Sequence, residues 1–374
     1  MRVMRYWLLL VAAMFTIAGC KKQPGSSSEI LIGEFDSLSG STAVFGQGTH
    51  NGIVLAVEQI NAAGGVLGKP VRVIAEDDRG NQDEAVSVVK KLIDRDNVLA
   101  VLGEVASTRS LAGGGVCEQA HVPMISPSST NPDVTKNRNY VFRVCFTDDF
   151  QGSVGAQFAI RKGWKRVAIF SCANSDYSKK LSYFFKESFA KSGQIVAEET
   201  YRDSDKDFMA QLTHIQSQNP DAVYLPGYYS EVDLILRQAR NNLGFKAPFF
   251  GGDGWDGATL DANSEGCFFT NHYSPEDPRP SVQAFIAAYK AKYGQIPDAF
   301  GITGYDAARV LCDAIRRAGS TDRDAIRDAI ASTKDFPGAG GSITIDANHN
   351  AKKPIAILEI RGGKTHLADM IQPE

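Results

Sequence analysis

The chain alternates short apolar strand-length runs with amphipathic helical stretches, and it does so twice. Ile30-Leu31-Ile32-Gly33-Glu34-Phe35 has strand length, and after a loop Ile53, Val57 and Ile60 recur at helical spacing until Gly64-Gly65. Val71–Ala75 then alternates as a strand, Val86, Val89 and Ile93 form a helical stripe, and Val98–Leu102 reads as a buried strand. The series begins again with strands at Val167–Phe170, Ile195–Ala197 and Ala222–Leu225, each followed by a helix (Tyr177–Ser192, Phe208–Gln218, Val232–Asn242). Strands spaced by whole helices require crossover connections, so each series predicts βαβ units in a parallel-rich, doubly wound sheet. The expectation is an α/β protein of two Rossmann-like lobes, with Asp148–Gly152 near their junction.

The C-terminal third has helical patterns at Pro280–Tyr293, Ala299–Gly319 and Asp322–Thr333 and strands near Ile343 and Ile357, but no strand series of its own. It is therefore expected to return to the lobes already begun. Lobe 1 becomes 29–146 plus 275–344 and lobe 2 becomes 148–272 plus 347–370, with crossings near Phe146–Asp149, His272–Pro275 and Ile345–Ala347. Ligands of doubly wound sheets sit outside the carboxyl ends of the strands, so facing lobes enclose one cleft.

The N-terminus bears on the compartment. Basic Met1–Arg5 precedes an apolar run, and the uncharged stretch Tyr6–Gly19 is 14 residues long. That is short of the roughly 20 residues a membrane span needs, so 1–19 reads as an export signal and 20–28 as a polar tether. Five cysteines follow the signal and its Cys20: Cys117, Cys145, Cys172, Cys267 and Cys312. An odd number cannot all pair, and no C-x-x-C spacing suggests zinc or redox chemistry. A Cys117–Cys145 bridge flanking Val122–Ile125 and buried free thiols are both open.

Composition and motifs exclude several classes. The 40 Lys and Arg against 43 Asp and Glu give a net charge of −3, which offers no electrostatic reason for a nucleic-acid partner. Loss of Arg2 and Arg5 with the signal moves the mature chain to about −5. Gly46-Gln47-Gly48 with Gly52 has one residue too many for a dinucleotide fingerprint and starts about ten residues beyond its strand, so a nicotinamide cofactor is not expected. No serine has glycine at both −2 and +2, and Leu358 stands where a P-loop ending in Gly363-Lys364-Thr365 needs glycine. The six histidines show no metal-binding spacing and are expected at the surface. Neither an enzyme nor a metal or cofactor protein is indicated.

Binding chemistry is better represented. Gly103–Ser110 and Pro127–Pro132 are hydroxyl-rich stretches at strand ends, beside helix N-termini whose N–H groups favour an anion; helix capping is the alternative for each. Asp253 stands between glycines after an apolar strand, as a carboxylate for an ammonium group would. Phe45, Tyr177, Tyr228, Trp255 and Phe300 could wall an apolar pocket, with core packing expected of at least one.

Leu38-Ser39-Gly40, Phe45-Gly46, Gly52 and the helix ending Ile60–Val66 resemble type I periplasmic binding proteins, as do Val73–Asp78, Gly103–Ser107, Pro127–Thr130, Tyr140–Arg143 and Ile235–Arg240. The resemblance runs from about Ile30 to Ile360 and is closest to the leucine/isoleucine/valine-binding proteins of branched-chain amino acid ABC importers. It implies two lobes joined by three hinge crossovers and closing on one ligand, with no catalysis and no cofactor. It places Ser107, Ser128 and Thr130 on the ligand α-carboxylate, Asp253 where the family has a glutamate for the ammonium, and Phe45, Tyr177, Tyr228 and Phe300 on the aromatic or hydroxyl contacts. Departures are the shorter Asp253, Ser128 for a small apolar residue, the bulk of Trp255, and Gly80 and Ala106 in place of the family's small disulfide. Thr16-Ile17-Ala18-Gly19-Cys20 resembles a lipoprotein lipobox, implying a lipid on Cys20 and anchorage at the periplasmic or outer cell surface; plain signal cleavage is the alternative. The implied partners are an amino acid and ABC permease subunits, or a signalling partner if the module is a sensor.

Overall fold

The computed structural model describes residues 29–373, so the signal, the tether and Cys20 lie outside the described residues. The first sheet contains β1 (Ile30–Asp36), β2 (Val71–Asp77), β3 (Ala100–Gly103), β4 (Met124–Ser126) and β5 (Val141–Arg143), all parallel, in the order β2-β1-β3-β4-β5. Helices α1 (Ala43–Ala62), α2 (Gln82–Asp94) and α3 (Ser107–Gln119) supply the crossovers. After α4 (Asp148–Arg161) the same plan repeats. Strands β6 (Arg166–Cys172), β7 (Gln194–Tyr201), β8 (Ala222–Tyr224), β9 (Phe249–Gly251) and β10 (Phe268–Asn271) lie in the order β7-β6-β8-β9-β10, with α5 (Asp176–Phe189), α6 (Met209–Ser217) and α7 (Tyr229–Arg237) between them. Helices α8 (Pro280–Tyr293), α9 (Ala299–Ala318) and α10 (Arg323–Ala331) and the hairpin β11 (Phe336–Gly338)–β12 (Gly341–Ile343) follow. Then β13 (Ile355–Arg361) and β14 (Lys364–Ile371) extend the second sheet antiparallel, to seven strands. The last strand has no counterpart in the sequence reading, because its alternation is weak and half-exposed.

The cores show where the C-terminal third belongs. Ile30, Ile32, Ile53, Val57 and Leu102 pack in one cluster with Ala307, Leu311, Ile315, Ile326 and Ile343, so α9, α10 and β12 cover the first sheet. In β13, Ala356 and Leu358 join the cluster of Val223 and Phe249, while Ile355 and Ile357 join that of Val167, Phe185 and Tyr224 on the other face. A strand buried on both faces reads as the continuous apolar run Ile355–Leu358. Three segments connect the sheets: β5 to α4, β10 to α8, and β12 to β13.

The glycines that imitate a nucleotide motif serve helix packing. A Cβ on Gly52 of α1 would lie 2.0 Å from the Gly301 carbonyl oxygen, and one on Gly304 of α9 would lie 2.6 Å from that of Thr49. Small residues on both helices let the backbones touch. Trp255 is the aromatic that belongs to a core: it is buried among the second lobe's side chains and donates from Nε1 to the Leu225 carbonyl at 2.8 Å.

The Cys117–Cys145 bridge is corrected: both thiols are free and buried. Cys117 packs on α3 against Val122, Met124 and Val141, whereas Cys145 points to the Ser129 carbonyl at 3.5 Å. Burial pushes each thiol up to about 12, so neither ionises to exchange at neutral pH.

Gly52→Ala places a methyl against backbone that cannot rotate away. We expect a loss of about 1–3 kcal/mol in stability, read as a lower denaturation midpoint. A midpoint equal to that of the original chain would mean that α1 and α9 can separate at no cost.

Candidate functional site

Both lobes have the strand order second-first-third-fourth-fifth, so each has its switch point between its first and third strands. Loops leaving those strands diverge to opposite sides and open a crevice. In the first lobe these are the loops after β1 and β3, leading to Phe45 and Ser107; in the second they follow β6 and β8, leading to Tyr177 and Tyr228. The fourth strands add the loops with Ser128 and Thr130 after β4 and with Asp253 after β9.

The β4 loop is shaped by Arg143, which is fully buried on the neighbouring strand. Its guanidinium donates to the carbonyls of Ser129 at 2.6 Å and Asn131 at 2.8 Å and to Thr135 Oγ1 at 3.2 Å. Asn131 N–H donates to Ser107 Oγ at 3.2 Å, joining this loop to the start of α3. The residue before α3 is Ala106, which has no side-chain oxygen for the first-turn N–H groups. Ser128 is turned away and shares a hydrogen bond of 2.6 Å with Thr303 of α9. Thr130 Oγ1 is buried and makes no well-formed hydrogen bond.

Opposite stand two carboxylates. Asp253 opens a short 3-10 turn; its Oδ1 accepts from Gln151 Nε2 at 2.8 Å and its Oδ2 lies 3.0 Å from His272 Nε2. His272, expected at the surface, is instead 4% exposed and stacks on Phe146 at 4.3 Å, because it lies in the crossover after β10, where both lobes cover it. Asp148, the first residue of α4, is fully buried and neither carboxylate oxygen makes a well-formed hydrogen bond. Burial holds its carboxyl well above the usual carboxylate range and the Asp253 charge adds to this, against the Thr130 hydroxyl and the Arg143 charge. Sequence reasoning passed over Asp148 as a site residue because an aspartate in a first helical turn is common on electrostatic grounds alone.

Aromatic rings close the space. Tyr177 and Tyr228 stack with centroids 5.3 Å apart, Phe45 meets Tyr228 edge-on at 5.4 Å, and Phe300 lies 4.5 Å from Phe45. Tyr229, outside the sequence-derived set, also meets Phe45 at 5.1 Å. Phe45 and Phe300 come from helices on the first sheet and the tyrosines from the second lobe, so these contacts bridge the cleft. Polar contacts bridge it too. Asn131 Nδ2 donates to the Asp176 carbonyl, and Asp176 N–H donates to Thr108 Oγ1, both at 3.0 Å. The lobes are closed. In this state Tyr228 borders a cavity of about 320 Å³ in the cleft, and none of the other sequence-derived residues lines it. A cavity of about 1080 Å³ lies by the crossovers, along Phe146, Thr147 and His349, and touches none of these residues.

Two lobes with matched switch points, closed over buried carboxylates, hydroxyls and aromatic walls, define a solute-binding protein. Residues 29–365 match the family model described as periplasmic binding protein, and the chain belongs to that family. It is 34% identical to the Leu/Ile/Val-binding protein BraC3 of Rhizobium johnstonii, over 88% of this chain and 90% of that protein. It is 32% identical to the leucine-, isoleucine-, valine-, threonine- and alanine-binding protein of Pseudomonas aeruginosa, over 88% and 89%. Among solved structures it is similar to the leucine-binding protein LivK of Thermotoga maritima, with 41% identity, 92% and 99% coverage and a TM-score of 0.88. The isoleucine complex of the branched-chain amino acid transporter binding protein LivJ of Streptococcus pneumoniae gives 35%, 92% and 100%, and 0.88. These are solute-binding proteins, not enzymes, and the family works outside the cytoplasm.

Several buried carboxyls set the pH response. Burial, with the charge of Glu104, holds Asp36 well above its usual range and raises Asp78 to about 7; burial with Asp256 raises Asp298 to about 7. Each, like Asp148, binds its proton more tightly folded than unfolded. The stabilisation is complete below the unfolded value near about 4 and is lost as pH rises through about 7. We therefore expect the melting temperature to fall between about pH 5 and pH 8, and Asp148→Asn, which cannot ionise, to fall less. Thermal melts across this interval check both; a rise toward pH 8 would contradict the assignment.

Proposed function

We propose that the chain is the extracytoplasmic receptor of an ABC importer and carries a neutral amino acid, branched-chain or otherwise aliphatic, to permease subunits. The observation that carries this reading is the set of complementary groups facing one another across the closed cleft. A zwitterion has an anionic and a cationic end, and the cleft has groups for each. Ser107, Thr130 and the first-turn N–H groups of α3 receive the α-carboxylate, and Ser128 supports that loop through Thr303. Asp253 and Asp148 receive the ammonium. Asp253 uses one position on each oxygen for Gln151 and His272, and a carboxylate has about four such positions, so room is left for a third donor. Phe45, Tyr177, Tyr228 and Phe300 surround the apolar side chain. The binding of isoleucine by the similar Streptococcus pneumoniae protein supports the ligand class.

On this reading the lobes (29–146 plus 275–344, and 148–272 plus 347–370) move as bodies about the three crossovers. Closure removes water from the zwitterion and replaces it with charge-assisted hydrogen bonds, so ligand favours the closed state. Among the described residues no helix is long and apolar enough to cross a membrane; the anchor we propose is a lipid on Cys20, with 20–28 as its tether.

Asp253→Asn keeps the shape and removes the charge. Breaking a buried charged pair costs roughly 2–5 kcal/mol, about 30- to 5000-fold in affinity. Calorimetric titration with leucine, isoleucine and valine measures it, and an affinity within about threefold of the original would remove Asp253 from the site. For the anchor, Cys20→Ser should leave the signal uncleaved or release the protein from the membrane fraction. An unaltered chain recovered in the soluble fraction without detergent would refute lipidation.

A further inference from the structure

The cleft cavity of about 320 Å³ is not lined as an aliphatic pocket would be. Tyr228 lines it together with Thr42, Arg109, Asn174, Tyr201 and Glu231, whereas Asp253 and Tyr177, the ring stacked on Tyr228, do not. The Arg109 charge is committed to its own lobe: Nε donates to Glu104 Oε1 at 2.7 Å and Nη2 to Thr42 Oγ1 at 3.1 Å. Glu231, in the first turn of α7, has no such compensation. It is 4% exposed, accepts from Ser230 Oγ at 2.8 Å and forms no ion pair with a described residue; the exposed Lys206 acts on it only through space. Asp203 adds a second carboxylate at the cavity wall, occupied by Asn174 Nδ2 at 2.8 Å.

A second observation is independent of these charges. Tyr201 is 2% exposed, lines the same cavity, and its hydroxyl has no hydrogen-bond partner among the described residues. The ring is fixed by edge-on contacts with Phe170 at 5.0 Å and Phe208 at 5.5 Å, and a Cβ on Gly227 would lie 2.1 Å from the hydroxyl. A buried hydroxyl without a partner costs stability unless something else satisfies it.

We propose that this compartment receives the cationic end of a longer amino-acid side chain, an ammonium or guanidinium, with Glu231 as its counter-ion and the Tyr201 hydroxyl as an added acceptor. The inference rests on the amino-acid reading above and extends it from aliphatic to basic ligands. An amino acid held at Ser107 and Asp253 has Tyr228 beside it, and Tyr228 is the wall it shares with the compartment. A side chain of leucine's length ends at the aromatic rings, whereas a longer one directed past Tyr228 meets a buried carboxylate that lacks a cation.

Calorimetric titration of the full chain with leucine, ornithine, lysine and arginine tests this, alongside Glu231→Gln and Tyr201→Phe. We expect the unaltered protein to bind at least one basic amino acid. Glu231→Gln should weaken that binding by about tenfold or more and change leucine affinity by less than about twofold. Tyr201→Phe should weaken basic ligands while raising the melting temperature of the free protein, a pairing that a purely structural hydroxyl would not give. Leucine binding with no basic amino acid bound, or basic binding that Glu231→Gln leaves within about twofold, overturns the inference and leaves the amino-acid reading intact. No binding of any amino acid overturns both.

Discussion

The Arg143 guanidinium, buried with no ion-pair partner among the described residues, organises the cleft side of the first lobe. Removing such a group from water costs several kcal/mol, and burial duly lowers its proton affinity. Hydrogen bonds from a charged donor contribute about 1.5–3 kcal/mol each, so the Ser129 and Asn131 carbonyls and the Thr135 hydroxyl together offset that cost. The β4 loop is thereby held open, with its carbonyls turned inward to the cation. Thr130 is left with a buried hydroxyl facing Asp148, and Asn131 reaches both Ser107 and the second lobe. Arg143 lies two strands from the switch point, yet it decides where the binding loop stands.

The same economy explains why one cleft needs so few chain segments. Each lobe repeats one strand order, and each offers loops from its first, third and fourth strands at the same end of its sheet. When two such ends face one another, six loops converge without any long insertion. The groups then divide by lobe: hydroxyls and the α3 N-terminus come from the first sheet, and Asp253, Tyr177 and Tyr228 from the second. Closure brings unlike partners together, with Asn131 and Thr108 of the first lobe bonded to Asp176 of the second.

The α/β alternation was legible because period and strand length are local properties, and the return of α9 and α10 to the first sheet followed from the missing third strand series. The glycines of α1 carried an ambiguous signal. Their partner surface is Gly301 and Gly304, about 250 residues away, and spacing alone cannot name a partner at that distance. His272 was misjudged for the same reason: its burial comes from Phe146 and Asp253, which only the crossovers bring beside it. Asp148 looked like an ordinary first-turn acid, and nothing in its neighbours says that its oxygens point into a closed interior. The two cysteines, 28 residues apart in sequence, face different neighbours, Cys117 an apolar cluster and Cys145 the Ser129 carbonyl.

The discontinuity of the first core has a consequence for how the chain acquires its structure. The surface of α1 that carries Ile53 and Val57 is covered by Ala307 and Leu311, so contacts essential to the first lobe span most of the polypeptide. Loop closure of that length is slow, and partly formed sheets expose apolar faces meanwhile. A chain emerging N-terminus first can pair its first five strands early but cannot seal their core until residues beyond 300 arrive. Such a protein stays unsealed, and so threadable, until its synthesis is nearly complete. A polypeptide that must pass through a narrow pore before folding is helped by that delay.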